Sequence, residues 1–253
     1  MKTARQYLPL ALVAVLIGAA LWHGPIAQLP DYHAFADRQT SYGIPHFADV
    51  VSNLGFALVA LWGACTLPRA SSHTALADGW AGYRLFLIGL FLTAFGSAYY
   101  HLAPDNARLV WDRLPIALAC GGLLAGVWGD VKKQSSTVLA AWLALLAFYS
   151  VAWWHFTEQV GEGDLRPYLM FQILPMVLIP LWQWLYRAPT ADRLSFGTAL
   201  LLYAVAKVSE LHDHEIAEAT GLLSGHTIKH LLATAAAAII VARLTWRSRP
   251  AKA

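Results

Sequence analysis

The sequence predicts an all-α, polytopic membrane protein whose helices form a bundle of eight spans. Of its 253 residues, 58% are hydrophobic and only 13% are charged. The apolar residues stand in blocks of about 20, the length that a helix needs to cross the hydrocarbon core. Tryptophans near the block ends, among them Trp22, Trp111, Trp153 and Trp154, are typical of the aromatic belts at the two membrane surfaces. We therefore expect a single integral membrane domain over residues 1–253.

Eight apolar blocks define the expected spans. In order, they cover residues 8–26, 47–67, 84–102, 112–129, 136–154, 168–186, 195–211 and 224–244. The first block follows Lys2 and Arg5, so a cleaved signal peptide is an alternative for it. We expect the block to be retained, because IGAALWHG is a weak cleavage site and Trp22 with His23 suits a membrane surface. Cleavage would leave seven spans and the same exposed side.

The distribution of charge predicts the orientation. Basic residues dominate the side of the two termini: Lys2, Arg5, Arg69, Arg84, Lys132, Lys133, Arg187, Arg193, Arg243, Arg247, Arg249 and Lys252. Only Asp78, Asp130 and Asp192 are acidic there, so the positive-inside rule places both termini in the cytoplasm. In a bacterial source this is the inner membrane. The basic residues are scattered rather than clustered, which argues against a nucleic-acid partner.

Polar residues gather at the opposite, external end of the spans. They are His46, Asp49, Ser52 and Asn53 at the start of span 2, Ser97 and His101 at the end of span 3, Asp112 at the start of span 4, and His226 and His230 at the start of span 8. Ionisable groups inside a membrane are costly and generally mark a functional site. The end of span 7, in the polar stretch KVSELHDH, lies at the same depth. Each residue alone would be unremarkable, but these five segments at one depth predict a site.

Three histidines of this set have the pattern of a metal site. His226 and His230 are four residues apart, so a helix presents both on one face. His101 supplies a third ligand and leaves a fourth position for water, as in catalytic zinc sites, where the bound water ionises near pH ~7. Ser97 precedes His101 by one turn and could donate to an oxyanion. Asp112 could act as a general acid or base.

These motifs resemble those of the alkaline ceramidases, which belong to a superfamily of seven-span hydrolases and receptors. The resemblance is carried by Ser97-Ala-Tyr-Tyr-His101, Asp112-Arg-Leu-Pro115, His226-Thr-Ile-Lys-His230 and the segment FADVVSNLGF. It covers about residues 31–245. It implies a seven-helix core made of spans 2–8, with the helix at about 8–26 as an addition.

The resemblance also implies an activity. Alkaline ceramidases hydrolyse the amide bond of ceramide, a linear amide, to a fatty acid and a sphingoid base. The resemblance makes His101, His226 and His230 the ligands of Zn2+, with Ser97 assisting the oxyanion and Asp112 acting on the zinc-bound water. Members also bind calcium through an acidic segment and a glutamate. Here Asp31 and Asp37 are present, but His46 stands at the glutamate position, so calcium is not carried over.

Three other classes of protein remain open on the sequence. The first is a receptor of the same superfamily without dedicated amidase activity. The second is a haem-binding membrane cytochrome with histidine ligands. The third is a proton-coupled transporter that uses Lys207, Glu210, Asp213 and His214. Lys207 and Glu210 are three residues apart, which favours an intrahelical ion pair, with Glu210 as a possible partner of a ligand histidine. The lipid amide that is cleaved and the oligomeric state also stay open.

Overall fold

Helices account for most of the chain in a computed structural model that describes residues 5–67 and 75–249. Ten helices follow one another: α1 Leu8–His23, α2 Phe47–Ser52, α3 Leu54–Thr66, α4 Trp80–Leu102, α5 Asn106–Lys132, α6 Thr137–Gln159, α7 Arg166–Leu185, α8 Thr190–Leu211, α9 Asp213–Thr220 and α10 Gly225–Arg247. Within those described ranges there is no β-strand, only an isolated bridge between Ser41 and Ile44. The all-α prediction is confirmed.

Among the described residues, seven helical segments are long and apolar enough to cross a membrane. They are α2 together with α3, then α4, α5, α6, α7, α8 and α10. They correspond to predicted spans 2–8, and they fit an integral membrane protein. Helix α1 is apolar but has only 16 residues, so the eighth span stays a prediction. It ends at His23 rather than at residue 26, because Gly24 adopts a positive φ of 83° and Pro25 follows.

Helix α5 begins six residues before the expected residue 112, at Asn106. Asp105 caps it, since its side chain accepts a hydrogen bond from the backbone N–H of Arg108 at 2.7 Å. This backbone hydrogen bond lowers the pKa of Asp105 below its ordinary value. Asp112 therefore lies nearly two turns inside the helix instead of at its entry, and its side chain is buried.

Six spans surround a central cavity. Helices α3, α4, α5, α7, α8 and α10 all contribute side chains to its wall, whereas α6 packs outside against α5 and α7. Helices α4 and α5 approach closely where Gly96 meets the carbonyl of Trp111. A Cβ on Gly96 would come within 1.9 Å of that oxygen. Pro115, one turn later, has no N–H to bond this carbonyl. At this close approach, Ser97 on α4 and Asp112 on α5 both line the central cavity.

A network of charges closes the end of the bundle opposite to the histidines. Asp130 accepts hydrogen bonds from Tyr83 Oη and from Arg247, both at 2.5 Å, and Asp192 accepts from Arg243 Nε at 2.5 Å. These charges were expected to share the side of the termini, and the structure brings them together. Lys2, Arg69 and Lys252, which belong to the same prediction, lie outside the described residues.

One member of the predicted aromatic belt has a different position. Trp22 is 94% exposed, as a surface anchor would be, but Trp154 is fully buried. Its ring stacks against the guanidinium of Arg113, whose Cζ lies 4.0 Å from the ring centroid. A buried cation and an aromatic face stabilise each other, so Trp154 belongs to the interior of the bundle rather than to a membrane surface.

Candidate metal centre

The three predicted histidines form a compact, buried cluster. His101 comes from the last turn of α4, while His226 and His230 come from the first two turns of α10. One ring nitrogen from each lies within 4.8 Å of the others, and all three residues are almost fully buried. The cluster could hold a metal ion.

One distance within the cluster fits a pair of ligands on a tetrahedral zinc ion. Nε2 of His101 and Nε2 of His226 are 3.1 Å apart. Two nitrogens bound to one zinc at 2.0–2.1 Å in tetrahedral geometry would be about 3.3 Å apart. Two neutral imidazoles cannot both be satisfied by facing nitrogens if neither carries the proton there. In addition, Nδ1 of His101 is buried without a hydrogen-bond partner among the described residues. Without a metal ion, Nε2–H of His101 can donate to Nε2 of His226; a shared metal ion would instead be bound by both nitrogens.

A serine from the second predicted span orients His230. The Oγ of Ser52 lies 2.8 Å from Nδ1 of His230 and donates to the carbonyl of Asp49 at 3.1 Å. Since the hydroxyl proton is directed at that carbonyl, the serine oxygen accepts from Nδ1–H. This leaves the lone pair of Nε2 directed at the cluster. Partners of this kind fix the tautomer and the ring orientation of metal-binding histidines.

Asp49 holds the start of α10 in place. Its Oδ1 accepts hydrogen bonds from the hydroxyls of Ser224 and Thr227, at 3.0 and 2.5 Å. Ser224 in turn caps α10 by accepting from the backbone N–H of Thr227 at 2.9 Å. His226 lies between these two residues. The polar start of span 2 therefore positions the helix that carries two of the three histidines.

The segment before α2 covers the cluster. The ring of Phe35 packs against His101 and His226, with ring centroids 4.7 and 4.5 Å apart. Asp213 ties this segment down, because its carboxylate accepts from the backbone N–H groups of Ala36 and His226, at 2.8 and 2.7 Å. His214 also contacts the carbonyl of Ala34 at 2.8 Å. Asp213 and His214, two residues that a proton-coupled transporter would use, thus hold the segment before α2 in place.

Ser97 and Asp112 lie beside the histidines on the wall of the central cavity. The cavity has a volume of about 160 Å³, and its wall includes Ser97, Asp112 and His230. Among the described residues, the carboxylate of Asp112 has no hydrogen-bond partner although it is buried. Toward the other end the wall is apolar. From His230 to Ile240 it extends about 15 Å along α10. The cavity therefore has a polar end beside the histidines and an apolar end away from them.

Lys207 and Glu210 form the predicted intrahelical ion pair, with Nζ and Oε2 2.6 Å apart. Glu210 has a second partner that the sequence analysis missed, since Lys229 Nζ lies 2.7 Å from its Oε1. Lys229 also lies 3.1 Å from Nε2 of His226. Glu210 Oε1 is 3.9 Å from Nδ1 of His226, too long for a hydrogen bond in this geometry.

The structure gives the residues considered for calcium other roles. The carboxylate of Asp37 accepts from the backbone N–H groups of Gln39 and Asp49, at 3.1 and 3.0 Å. His46 directs Nδ1 at the carbonyl of Asp37, and Asp31 is exposed. Asp37 thus accepts from an N–H group in the first turn of α2, and whether this segment binds calcium stays open.

Sequence reasoning missed Phe35, Ser224, Thr227 and Lys229. Ser224 had a detectable signal, since a serine immediately before the start of an apolar helical run is an N-cap pattern. Lys229 stands inside the H-x3-H motif and had no signal of its own. No protein-family model matches the chain, and no curated protein is significantly similar to it. The resemblance to alkaline ceramidases therefore rests on the motif residues alone.

Proposed function

We propose that the chain is a zinc-dependent hydrolase of lipid amides, similar in chemistry to the alkaline ceramidases, with its site on the outer side of the membrane. The observation that carries the proposal is the position of three buried histidines next to Ser97 and Asp112 at the polar end of an apolar cavity. An acyl chain fits the apolar part, and the amide then lies level with the histidines. Ceramide or another N-acyl lipid has this form.

His101, His226 and His230 would hold the zinc ion. Zinc in a three-histidine site supplies a Lewis acid and a bound water that ionises near pH ~7. Histidine nitrogens suit zinc and also copper, iron and nickel, and the three-histidine ligand set with a fourth position for water is the one that catalytic zinc sites use. A haem is disfavoured, because nitrogens 3.1 Å apart cannot lie on opposite sides of a porphyrin plane.

The remaining chemistry belongs to side chains of the cavity wall. The Ser97 hydroxyl donates to the amide oxygen as negative charge develops on it. Asp112, which is free of protein partners among the described residues, takes a proton from the attacking water and delivers it to the leaving nitrogen. The C–N bond breaks, the water oxygen remains on the acyl carbon as a carboxylic acid, and the amine departs.

The test is hydrolysis of N-acyl lipids by purified protein in detergent, measured as release of free fatty acid. We expect zinc-loaded protein to release fatty acid from ceramide or another N-acyl lipid, and chelation to stop the release. His226→Ala is expected to abolish hydrolysis, whereas Lys132→Ala, at the far end of the bundle, is not. Hydrolysis that survives the loss of each of the three histidines in turn would contradict the proposal.

A further inference from the structure

Three charged residues form a cluster on the cavity wall that hydrolysis of a neutral amide does not require. Lys207 and Glu210 project from the last turns of α8, and Lys229 projects from the first turn of α10. All three line the cavity at the level of the histidines. The side chains of Lys229 and Glu210 are 15% and 16% exposed. Burying Lys229 and Glu210 is costly, and Glu210 has Lys207, whose side chain is 40% exposed, as a second partner, so a simple buried ion pair does not describe the cluster.

The cluster has more positive than negative charge. One carboxylate, Glu210, serves two ammonium groups, at 2.6 Å from Lys207 and 2.7 Å from Lys229. Asp112, the other acidic group on the cavity wall, would balance the excess in the metal-free chain. A divalent cation at the histidines would restore the excess of positive charge. The polar end of the cavity is therefore electrostatically suited to an anion.

Lys229 also has hydrogen-bonding capacity left over. An ammonium group has three donors, and Lys229 uses one on Glu210 and one on Nε2 of His226, 3.1 Å away. That nitrogen is the one that faces His101 in the cluster. Metal binding by His226 through Nε2 would occupy the lone pair that now accepts from Lys229. Two donors of a buried ammonium group would then lack an acceptor next to the reacting atoms.

We infer that the substrate is an anionic amphiphile, in which the amine part of the amide carries a carboxylate or phosphate that binds Lys229, with Lys207 beside it. This rests on the proposed hydrolase function and narrows its substrate class from N-acyl lipids in general to those with a negative charge close to the amide. Lys229 and Lys207 then determine specificity by charge, and Glu210 holds the two ammonium groups in place. A neutral ceramide lacks the group that this cluster would bind.

The test compares three probes with the same acyl chain. They are N-dodecanoylglycine, N-dodecanoylphosphoethanolamine and the uncharged N-dodecanoylethanolamine. Binding is measured by titration calorimetry in detergent on zinc-loaded full-length proteins that all carry Asp112→Asn as well, so that turnover is slowed while the cation stays in place. The hydrolysis assays use the same proteins with Asp112 intact. The carboxylate and phosphate probes distinguish the two possible anions. The proteins are wild type, Lys229→Gln, Lys207→Gln and Lys132→Gln, the last being a lysine at the far end of the bundle.

We expect at least one anionic probe to bind wild-type protein more tightly than the uncharged probe does. Lys229→Gln is expected to weaken the binding of that anionic probe about tenfold, the value of one hydrogen bond to a charged group. The affinity for the uncharged probe should stay almost unchanged. Each single lysine variant leaves Glu210 with one partner, which favours folding. Lys229→Arg should restore part of the anionic preference. Lys132→Gln should bind all three probes as wild type does.

Equal affinity for the charged and uncharged probes would overturn the inference, and so would anionic binding that is unchanged in both Lys229→Gln and Lys207→Gln. Release of fatty acid by the zinc-loaded proteins separates this inference from the proposed function. If the uncharged probe is hydrolysed as fast as the anionic ones, the hydrolase stands and the anionic substrate is wrong. If no probe is hydrolysed but lysine-dependent binding is present, the anion site stands and the hydrolase proposal fails.

Discussion

The hydroxyl oxygen of Ser52, on α2, lies 2.8 Å from Nδ1 of His230, on α10, although the two residues are 178 positions apart in the sequence. Ser52 also donates to the carbonyl of Asp49, which leaves it able to accept from the imidazole. The ring of His230 is therefore held with Nε2 facing His101 and His226. The polar start of span 2 acts on the metal centre through this contact, without supplying a ligand.

Ser52→Ala is expected to weaken zinc binding about 10–100-fold, because His230 would lose the partner that fixes its tautomer. The measurement is competition for zinc against a chromogenic chelator in detergent. Ser248→Ala is the matched control, since Ser248 also donates to the carbonyl three residues before it, at 2.8 Å, but lies at the far end of α10. Equal zinc affinity in the Ser52 variant and in wild type would show that Ser52 does not orient the ligand.

Gly96→Ala is expected to destabilise the protein by about 1–3 kcal/mol, the usual cost of overpacking. The new methyl group would meet the Trp111 carbonyl, 1.9 Å from an ideal Cβ, so α4 and α5 would have to separate. Thermal unfolding in detergent measures the effect.

Gly197→Ala, in α8, is the control for that substitution. A Cβ there meets nothing within 4 Å, so this variant should be more stable by about 0.5–1 kcal/mol through helix propensity. If the two alanine variants unfolded at the same temperature, the close approach of α4 and α5 would be wrong.

Much of the fold could be predicted from the sequence, because span length and apolar composition are properties of each segment by itself. The predicted helix ends were less accurate where a local cap sets them. Gly24 ends α1 before the predicted residue 26, and Asp105 caps α5 so that it begins before the predicted residue 112. Trp154 was misplaced because its burial depends on Arg113, and no pattern in the sequence shows that these two side chains stack.

The positions of the candidate site residues could be predicted to a similar extent. The spacing of His226 and His230 and the shared depth of His101, Ser97 and Asp112 follow from helix periodicity and alternating topology. The contact between Lys229 and Glu210 does not, since it depends on how α8 and α10 pack. That packing is set by Gly225, where a Cβ would come within 2.1 Å of the Ser209 carbonyl. Such contacts need the three-dimensional arrangement.

Asp164 is expected to make stability depend on pH below about pH 4. Burial raises the pKa of Asp164, but hydrogen bonds from Arg166, Trp153 and Ile26 outweigh it and lower the pKa from 3.8 to about 2. A lowered pKa in the folded state contributes stability that is present above the unfolded value and is lost as the pH falls toward 2. This shift corresponds to about 2 kcal/mol at neutral pH.

Asp164→Asn should therefore unfold more easily than wild type at neutral pH, and the difference should vanish near pH 2. Thermal unfolding across that range checks it, with Glu218→Gln, an exposed residue of α9, as the control. Because Asp164 accepts from Ile26, just after α1, the variant should also make α1 more accessible to protease. A stability difference that stays constant down to pH 2 would contradict the lowered pKa of Asp164 in the folded protein.

Asp112→Asn is expected to lower hydrolysis of a cleavable N-acyl lipid about 10²–10⁴-fold while zinc content is retained, since Asp112 moves a proton but does not bind the metal. Ser97→Ala should lower it about 10²–10³-fold, the effect of losing one oxyanion donor. Both are measured as fatty-acid release beside zinc content. Loss of zinc in the Asp112 variant would make Asp112 a ligand rather than a proton carrier.

The central claim is that His101, His226 and His230 together hold one metal ion, and elemental analysis of purified protein tests it most directly. The samples are wild type, His101→Ala, His226→Ala and His230→Ala, with His155→Ala on the outer helix α6 as the control. We expect about one zinc per chain in wild type and in the control, and none in the three variants. Well-folded wild-type protein without a bound metal, or zinc that persists in all three variants, would contradict the account.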